Sequence, residues 1–86
     1  MIIDKNIVEL FEKAQKGDRE AVTSIVKDNI GLVYKQAKKF KGKAISYDDA
    51  IQVGSLGLLY SIQNYDPTLN VKFSTYATTN IVGKIL

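Results

Sequence analysis

The sequence predicts an all-α protein, a compact bundle of about four helices that forms one domain over residues 1–86. Apolar residues recur at intervals of three and four along most of the chain, which is the period of an amphipathic helix. Glycines and the single proline interrupt this pattern, as expected between helices. No run of alternating polar and apolar residues competes with the helical pattern as a strand.

The first half of the chain predicts two helices, over residues 1–17 and 18–40. Asp4 is a suitable cap for the first helix and Gly17 a suitable stop. The second helix starts near Asp18 and keeps the helical period for about six turns, up to a break at Lys41-Gly42-Lys43. The apolar positions that recur at helical spacing in these two helices are Ile7, Leu10, Phe11, Ala14, Val22, Ile25, Val26, Ile30, Val33, Ala37 and Phe40.

The second half predicts a third helix over residues 46–64 and a fourth over residues 74–86. Ser46 followed by Asp49 resembles a capping box, with Asp where Glu is usual. Asn64-Tyr65-Asp66-Pro67 supplies the turn chemistry that ends the third helix. After a loop through Asn70, we expect Ser74 to cap the fourth helix, with Thr75 as a second capping candidate. Its predicted core positions are Ala77, Ile81, Val82, Ile85 and Leu86.

The composition excludes several classes of function. The chain has no cysteine and no histidine, so disulfides, thiolate zinc sites, cysteine nucleophiles and histidine bases are all ruled out. We expect no cofactor and no metal, and an enzyme is the least favoured class, because the adjacent Asp48 and Asp49 are explained as helix N-terminal carboxylates. The sequence shows neither a signal-peptide pattern nor an apolar run of membrane-spanning length, so we expect a cytoplasmic protein.

The net charge of +3 is mild, but its distribution is uneven. The lysines Lys35, Lys38, Lys39, Lys41 and Lys43 cluster, and Asp48 and Asp49 follow them. A solvated helix face and a contact with a polyanion both explain the lysine cluster, and the pattern does not decide between them.

The third helix has two distinctive faces. Gly54 and Gly57 share its apolar side, where each costs about 1 kcal/mol relative to alanine, so we expect a neighbouring helix of the same domain to approach closely there. The other side carries a narrow stripe at spacings of three and four, formed by Asp49, Gln52, Leu56, Leu59 and Gln63. This stripe is typical of a surface on which a partner helix docks, although its two leucines could also complete the core of a small bundle.

The fourth helix carries Tyr76, Thr79, Asn80 and Gly83 on the face opposite its core positions. An aromatic ring, two polar side chains and a missing side chain can stack on a nucleobase and contact its polar edge. Lys72 and Lys84, near the two ends of this face, can meet phosphates. Taken alone, however, the pattern favours a solvated polar face.

A family resemblance changes that balance. Residues 48–77, DDAIQVGSLGLLYSIQNYDPTLNVKFSTYA, resemble the conserved region 2 of bacterial sigma factors of the large housekeeping-type family. Residues 16–40, KGDREAVTSIVKDNIGLVYKQAKKF, are similar to the helix pair that precedes it. The resemblance implies a domain that binds core RNA polymerase and recognises and opens the AT-rich minus-ten promoter element just upstream of the start site.

The resemblance also implies roles for single residues. Asp49 and Gln52 match positions that dock on a coiled coil of the polymerase β′ subunit, and they belong to the stripe described above. Tyr76 matches a tyrosine that captures an adenine flipped from the nontemplate strand. Its flanking positions in the family are matched by Lys72, Phe73, Ser74 and Thr75, so the expected DNA-binding residues are Lys72, Phe73, Ser74, Thr75, Tyr76, Thr79, Asn80, Gly83 and Lys84.

The chain departs from the housekeeping pattern at two places. Val53 replaces an acidic residue, which removes one charged contact to the polymerase. Thr79 and Asn80 replace a pair of tryptophans, so we expect weaker or more promoter-dependent melting. The alternative and sporulation-type members also lack this pair, and the chain resembles them more.

Several alternatives remain open at the level of sequence. The chain is either part of a longer sigma factor or a stand-alone region 2 subunit of a split one, whose second subunit would carry the downstream helix-turn-helix. A rival interpretation is an interaction module that binds polymerase, a sigma partner or an anti-sigma factor without opening DNA. A structural bundle with no nucleic-acid role is the remaining candidate.

Overall fold

Four helices and their short connections make up the part of the chain that the computed structural model describes, residues 4–40 and 42–86. They are α1 (Lys5–Gln15), α2 (Arg19–Lys39), α3 (Tyr47–Asn64) and α4 (Phe73–Ile85). These described residues contain no strand, which confirms the predicted all-α fold. Lys41 of the lysine cluster and residues 1–3 of the predicted first helix lie outside the described residues.

The starts of the first three helices are fixed by side-chain caps. Asp4 accepts a hydrogen bond from the backbone N–H of Asn6 (2.9 Å), and Asp18 accepts one from that of Ala21 (3.1 Å). Ser46 Oγ accepts from the N–H of Asp49 (3.1 Å), as the sequence predicts. Each bond satisfies an N–H group that has no partner within its helix.

The start of α4 differs from the prediction. The helix begins at Phe73, its N-cap residue is Lys72, and no side chain caps it. Ser74 and Thr75 are exposed residues of the first turn, so the prediction that they cap α4 is wrong. The Phe73 ring packs against Phe11 and Tyr65, with centroid distances of 5.0 and 5.1 Å. Packing of this ring against α1 explains why α4 begins at Phe73, although local capping preference predicts a start at Ser74.

All four helices contribute residues to the core, and α3 packs most extensively on α4. A Cβ atom added to Gly57 would lie 2.7 Å from the backbone oxygen of Asn80 and 2.8 Å from Cα of Ile81. One added to Gly54 would lie 3.1 Å from Val33 Cγ1. The expectation that neighbouring helices approach both glycines is therefore confirmed. The fully or largely buried apolar residues are Phe11, Ala14, Ala21, Ile25, Val33, Ala37, Ala50, Leu58, Ile62, Ala77, Ile81 and Ile85.

Leu86 is not part of this core. Its side chain is 84% exposed, because Leu86 follows the last residue of α4 and lies beyond the helix face that packs inward. The prediction that it faces the core is wrong, whereas Ala77, Ile81 and Ile85 are buried as expected and Val82 is half-buried.

Two glutamine side chains fasten α1 to the end of α3. Gln15 Nε2 donates to the backbone oxygens of Ile62 (3.0 Å) and Tyr65 (2.7 Å). Gln63 Nε2 donates in the opposite direction, to the backbone oxygen of Ala14 (3.2 Å). These bonds satisfy carbonyl groups near the ends of both helices.

None of the described helices has the length and apolar character needed to cross a membrane.

Candidate functional site

The outer face of α3 carries a band that we call the docking stripe: Asp49, Gln52, Leu56, Leu59 and Gln63. All of these residues are exposed. Leu56 is 60% exposed and Leu59 is 42% exposed, so the leucines do not complete the core, and that alternative is excluded. An apolar centre with polar ends, left open on a helix, is the pattern of an interaction surface.

The polar ends of the docking stripe differ in their surroundings. Asp49 lies in the first turn of α3, where its negative charge interacts favourably with the helix dipole. Gln63, at the other end, uses its amide to bond Ala14 and so contributes to the fold as well as to the surface. Val53, which follows Gln52 of the stripe, is half-buried.

A second open surface lies between α3 and α4, and we call it the α3–α4 groove. Tyr60, Thr79, Asn80, Gly83 and Lys84 line this depression of about 500 Å³. Thr79, Asn80, Gly83 and Lys84 were expected from the sequence to bind DNA, and the structure brings them together here. Tyr60 was not foreseen. In a projection at 100° per residue, Tyr60 lies between the docking stripe and the glycine face of α3. The pattern of polar and apolar residues therefore assigned it to neither face.

Hydrogen bonds fix the polar side of this groove. Ser61 is fully buried, and its hydroxyl donates to the backbone oxygen of Gly57 (2.8 Å). Asn80 Nδ2 in turn donates to Ser61 Oγ (3.0 Å), so one of the two amide N–H groups of Asn80 is already hydrogen-bonded within the domain. Thr79 Oγ1 donates to the backbone oxygen of Thr75 (3.1 Å).

Tyr76 belongs to an aromatic cluster at the start of α4, formed by Phe11, Tyr65, Phe73 and Tyr76. Its ring centroid lies 5.7 Å from that of Tyr65, and the Phe11 and Tyr65 rings are 4.9 Å apart. Tyr65 OH donates to the backbone oxygen of Val71, which holds the loop before α4. Phe73 and Tyr76 are both half-buried. The Phe73 ring contacts Phe11 and Tyr65, whereas within this cluster the Tyr76 ring contacts Tyr65 alone.

The loop after α3 carries two groups with shifted pKa values. Burial, and then the charge of Asp66, raises the pKa of the Tyr65 hydroxyl above its usual value. The pKa of the Asp66 carboxyl is lowered, because it accepts hydrogen bonds from the Thr68 hydroxyl (2.6 Å) and the Thr68 backbone N–H (2.9 Å). Both shifts follow from the turn that ends α3, and they indicate no catalytic group.

The predicted DNA-binding residues therefore fall into three places along α4. Lys72, Ser74 and Thr75 are exposed at its start, Phe73 and Tyr76 belong to the aromatic cluster, and the remainder line the groove. A rise of 1.5 Å per residue separates Lys72 from Lys84 by about 18 Å.

Among residues 4–40 and 42–86, no group of three or more His, Cys, Asp or Glu side chains is placed to hold a metal ion.

A small helical domain that leaves an apolar stripe and a polar, aromatic-walled groove open to solvent has the features of a binding module. Comparison with known protein families matches residues 25–86 to Sigma-70 region 2, and the chain belongs to this family. The match confirms the resemblance inferred from the sequence.

Individual relatives agree with this assignment. The chain is similar to the RNA polymerase sigma-F factor of Bacillus subtilis, with 37% identity over 82 residues, or 95% of this chain and 32% of the relative. It is 43% identical over 77 residues to the sigma-G factor of the same organism, covering 88% of this chain and 30% of the relative. To the sigma factor SigA of a Bacillus species it is 38% identical over 71 residues, 83% of this chain and 19% of the relative. The chain thus spans about a third of the length of the sigma-F and sigma-G factors it matches.

Proposed function

We propose that this chain acts in transcription initiation, as a module that docks on core RNA polymerase and holds an unpaired promoter strand. The observation that supports this most strongly is the exposed docking stripe. Among the described residues Leu56 is 60% exposed and Leu59 is 42% exposed. Both lie on α3, the helix for which the family resemblance implies docking. In this role the chain works in the cytoplasm, where the polymerase is.

The proposed partner of the docking stripe is the coiled coil of the polymerase β′ subunit. A partner helix can bury the two leucines as an apolar centre, while Asp49 and Gln52 supply polar contacts at one end. Val53 contributes no charge, so the apolar contacts carry more of the affinity than they would in a member with an acidic residue there.

The proposed site for the unpaired strand is the exposed side of α4. Tyr76 is fixed on one side by Tyr65, which leaves the outer part of its ring to stack on a base of the nontemplate strand. Extruding a base costs a few kcal/mol, and stacking on an aromatic ring returns about 1–3 kcal/mol. Capture at Tyr76 therefore offsets much of the cost of opening AT-rich DNA at the minus-ten element.

A second candidate is a module that binds polymerase without opening DNA. Two observations favour it: Phe73 is committed to the aromatic cluster, and the Asn80 amide is bonded to Ser61. Thr79 and Asn80 also supply no aromatic ring to part a base pair.

The variants Tyr76→Ala and Tyr76→Phe separate the two candidates. The chain is combined with core polymerase and with promoter DNA that carries a fluorescent reporter in the minus-ten element. We expect Tyr76→Ala to slow opening roughly tenfold, since a stacking ring is lost, and Tyr76→Phe to open DNA nearly normally. Core binding and thermal stability are measured alongside.

Opening by Tyr76→Ala at the unchanged rate contradicts base capture at this residue. If the unchanged chain binds core polymerase but gives no opening on any promoter tested, the second candidate is correct.

A further inference from the structure

We propose that the α3–α4 groove binds a second unstacked nucleobase, one that carries an exocyclic amino group, with Tyr60 as its stacking surface. The inference rests on the proposed function, because it assumes that a single strand runs along α4. It adds a site distinct from Tyr76, a residue that performs the stacking, and a preference for one class of base.

The groove is separate from the aromatic cluster along α4. Tyr76 contacts Tyr65, whereas the residues that line the groove begin at Thr79 and continue to Lys84. With a rise of 1.5 Å per residue, Thr79 and Gly83 lie about 5 and 10 Å beyond Tyr76 along the helix. A strand held at Tyr76 can therefore place a neighbouring base in the groove.

Tyr60 is the only aromatic residue among those that line the groove. Tyr60 is 50% exposed and lines the groove, so it can offer ring surface to a ligand there. Thr79 and Asn80 on the opposite helix supply no ring, and Tyr60 on α3 is placed to provide the stacking that they lack. Stacking on a single aromatic residue is largely independent of base identity, so selectivity must come from the polar groups.

The polar groups of the groove have a fixed hydrogen-bonding character. Ser61 has one hydroxyl proton, and the backbone oxygen of Gly57 accepts it, so the Asn80 atom that faces Ser61 must be the amide nitrogen. This leaves Asn80 with its oxygen and one N–H. Thr79 has donated its proton to Thr75, and its hydroxyl oxygen can only accept.

The Thr79 and Asn80 side chains therefore offer two acceptors and one donor. An amino group beside a ring nitrogen, as on adenine or cytosine, matches the oxygen and the N–H of Asn80 as a pair. Thr79 Oγ1 can accept the second amino hydrogen. Thymine has no amino group, and it leaves at least one acceptor without a partner.

The last turn of α4 completes the site. A Cβ atom added to Gly83 would have no other atom within 4 Å, so the fold does not need a glycine there. The open space beside Gly83 lets a sugar or a base approach the helix backbone. Lys84, exposed next to it, supplies a positive charge for the phosphate.

The test uses the complex of this chain with core polymerase and labelled nontemplate-strand oligonucleotides that cover the minus-ten element. One nucleotide at a time is made abasic, and affinities are compared for the unchanged chain, Tyr60→Ala, Tyr60→Phe and Tyr76→Ala. Tyr34→Ala is the matched control, because Tyr34 is a 43% exposed tyrosine on α2 and lies outside the groove.

We expect Tyr60→Ala to weaken strand binding roughly tenfold, and Tyr60→Phe and Tyr34→Ala to change it little. The loss caused by Tyr60→Ala should disappear when one particular position is abasic, because the two changes remove the same interaction. That position should differ from the one that couples to Tyr76→Ala. At the Tyr60 position, thymine should bind several-fold more weakly than adenine or cytosine.

A separate pair of variants tests the open space. Gly83→Ala should raise the melting temperature yet weaken strand binding several-fold. Gly31→Ala, at another exposed helical glycine whose added Cβ would meet no atom within 4 Å, should raise the melting temperature without changing binding.

The inference is overturned if Tyr60→Ala binds the strand as tightly as the unchanged chain, or if its loss couples to no position or to the Tyr76 position. Equal affinity for thymine and adenine at the coupled position overturns the base preference. If the unchanged complex does not bind the strand at all, the proposed function itself is contradicted, and the groove proposal is contradicted with it.

Discussion

At Gly57 the absence of a side chain sets the distance between α3 and α4. The atoms that a Cβ would meet, the Asn80 carbonyl oxygen and Ile81 Cα, are backbone atoms that cannot rotate away. The same close approach places Asn80, one of the residues that line the α3–α4 groove, within hydrogen-bond distance of Ser61. A single residue thus governs both the packing of the bundle and the shape of its open surface.

We therefore expect Gly57→Ala to lower the free energy of unfolding by about 1–3 kcal/mol, the usual cost of overpacking. Gly31→Ala is its control, because Gly31 is an exposed helical glycine, and alanine there should add up to about 1 kcal/mol. Chemical denaturation measures both. Equal stability of Gly57→Ala and the unchanged protein would show that the helices can separate without cost.

Asn80 and Phe73 both make tertiary contacts that the sequence pattern did not predict. Helical projection places Asn80 on the face opposite the core, yet its amide bonds a buried serine on another helix. Phe73 was expected from the sequence to bind DNA, yet its ring packs against Phe11 of α1. Both outcomes depend on residues far away in sequence, Ser61 and Phe11, so local pattern does not foresee them.

At the scale of the helix, local signals predicted most of the bundle. Apolar periodicity indicated four helices, and Asp4 and Ser46 cap the first and third as predicted. The second begins next to Asp18, as predicted, and Asp18 caps it. The start of α4 was missed because tertiary packing of Phe73 outweighs the capping preference of Ser74. Spacing set the five residues of the docking stripe apart in the sequence, but only the structure shows that its leucines are exposed.

Two serine variants test whether a serine side chain caps α3 but not α4. Ser46→Ala removes a cap bond and should lower the free energy of unfolding by about 1 kcal/mol. Ser74→Ala should have almost no effect, or be slightly stabilising, because alanine is a better helix former within a first turn. Thermal or chemical unfolding of both variants provides the check, and a larger loss for Ser74→Ala than for Ser46→Ala would contradict the assigned start of α4.

At the scale of the whole molecule, α3 serves two surfaces at once. Leu56 of the docking stripe and Tyr60 of the groove are one turn apart, separated by about 40° around the helix axis. A partner seated on the stripe would therefore border the groove. This arrangement predicts that polymerase and single-stranded DNA contact adjoining parts of one small domain.

The α1 helix supports this arrangement by contributing Phe11 and Ala14 to the core and by contacting the end of α3. Its Gln15 bonds the end of α3, and Phe11 anchors the aromatic cluster that holds Tyr76. Gln63 takes part in the same connection, so its substitution would alter stability as well as docking. Tests of docking are therefore clearer at the leucines of the stripe.

The most direct test of the account compares Leu56→Asp with Leu69→Asp for binding to core RNA polymerase. The two leucines are matched in exposure, at 60% and 58%, but Leu69 lies in the loop before α4 and outside the stripe. We predict that Leu56→Asp weakens binding by a factor of about thirty or more, the effect of losing a central contact worth about 2 kcal/mol. Leu69→Asp should bind normally. Equal affinities of the two variants, both folded, would contradict docking through this face of α3.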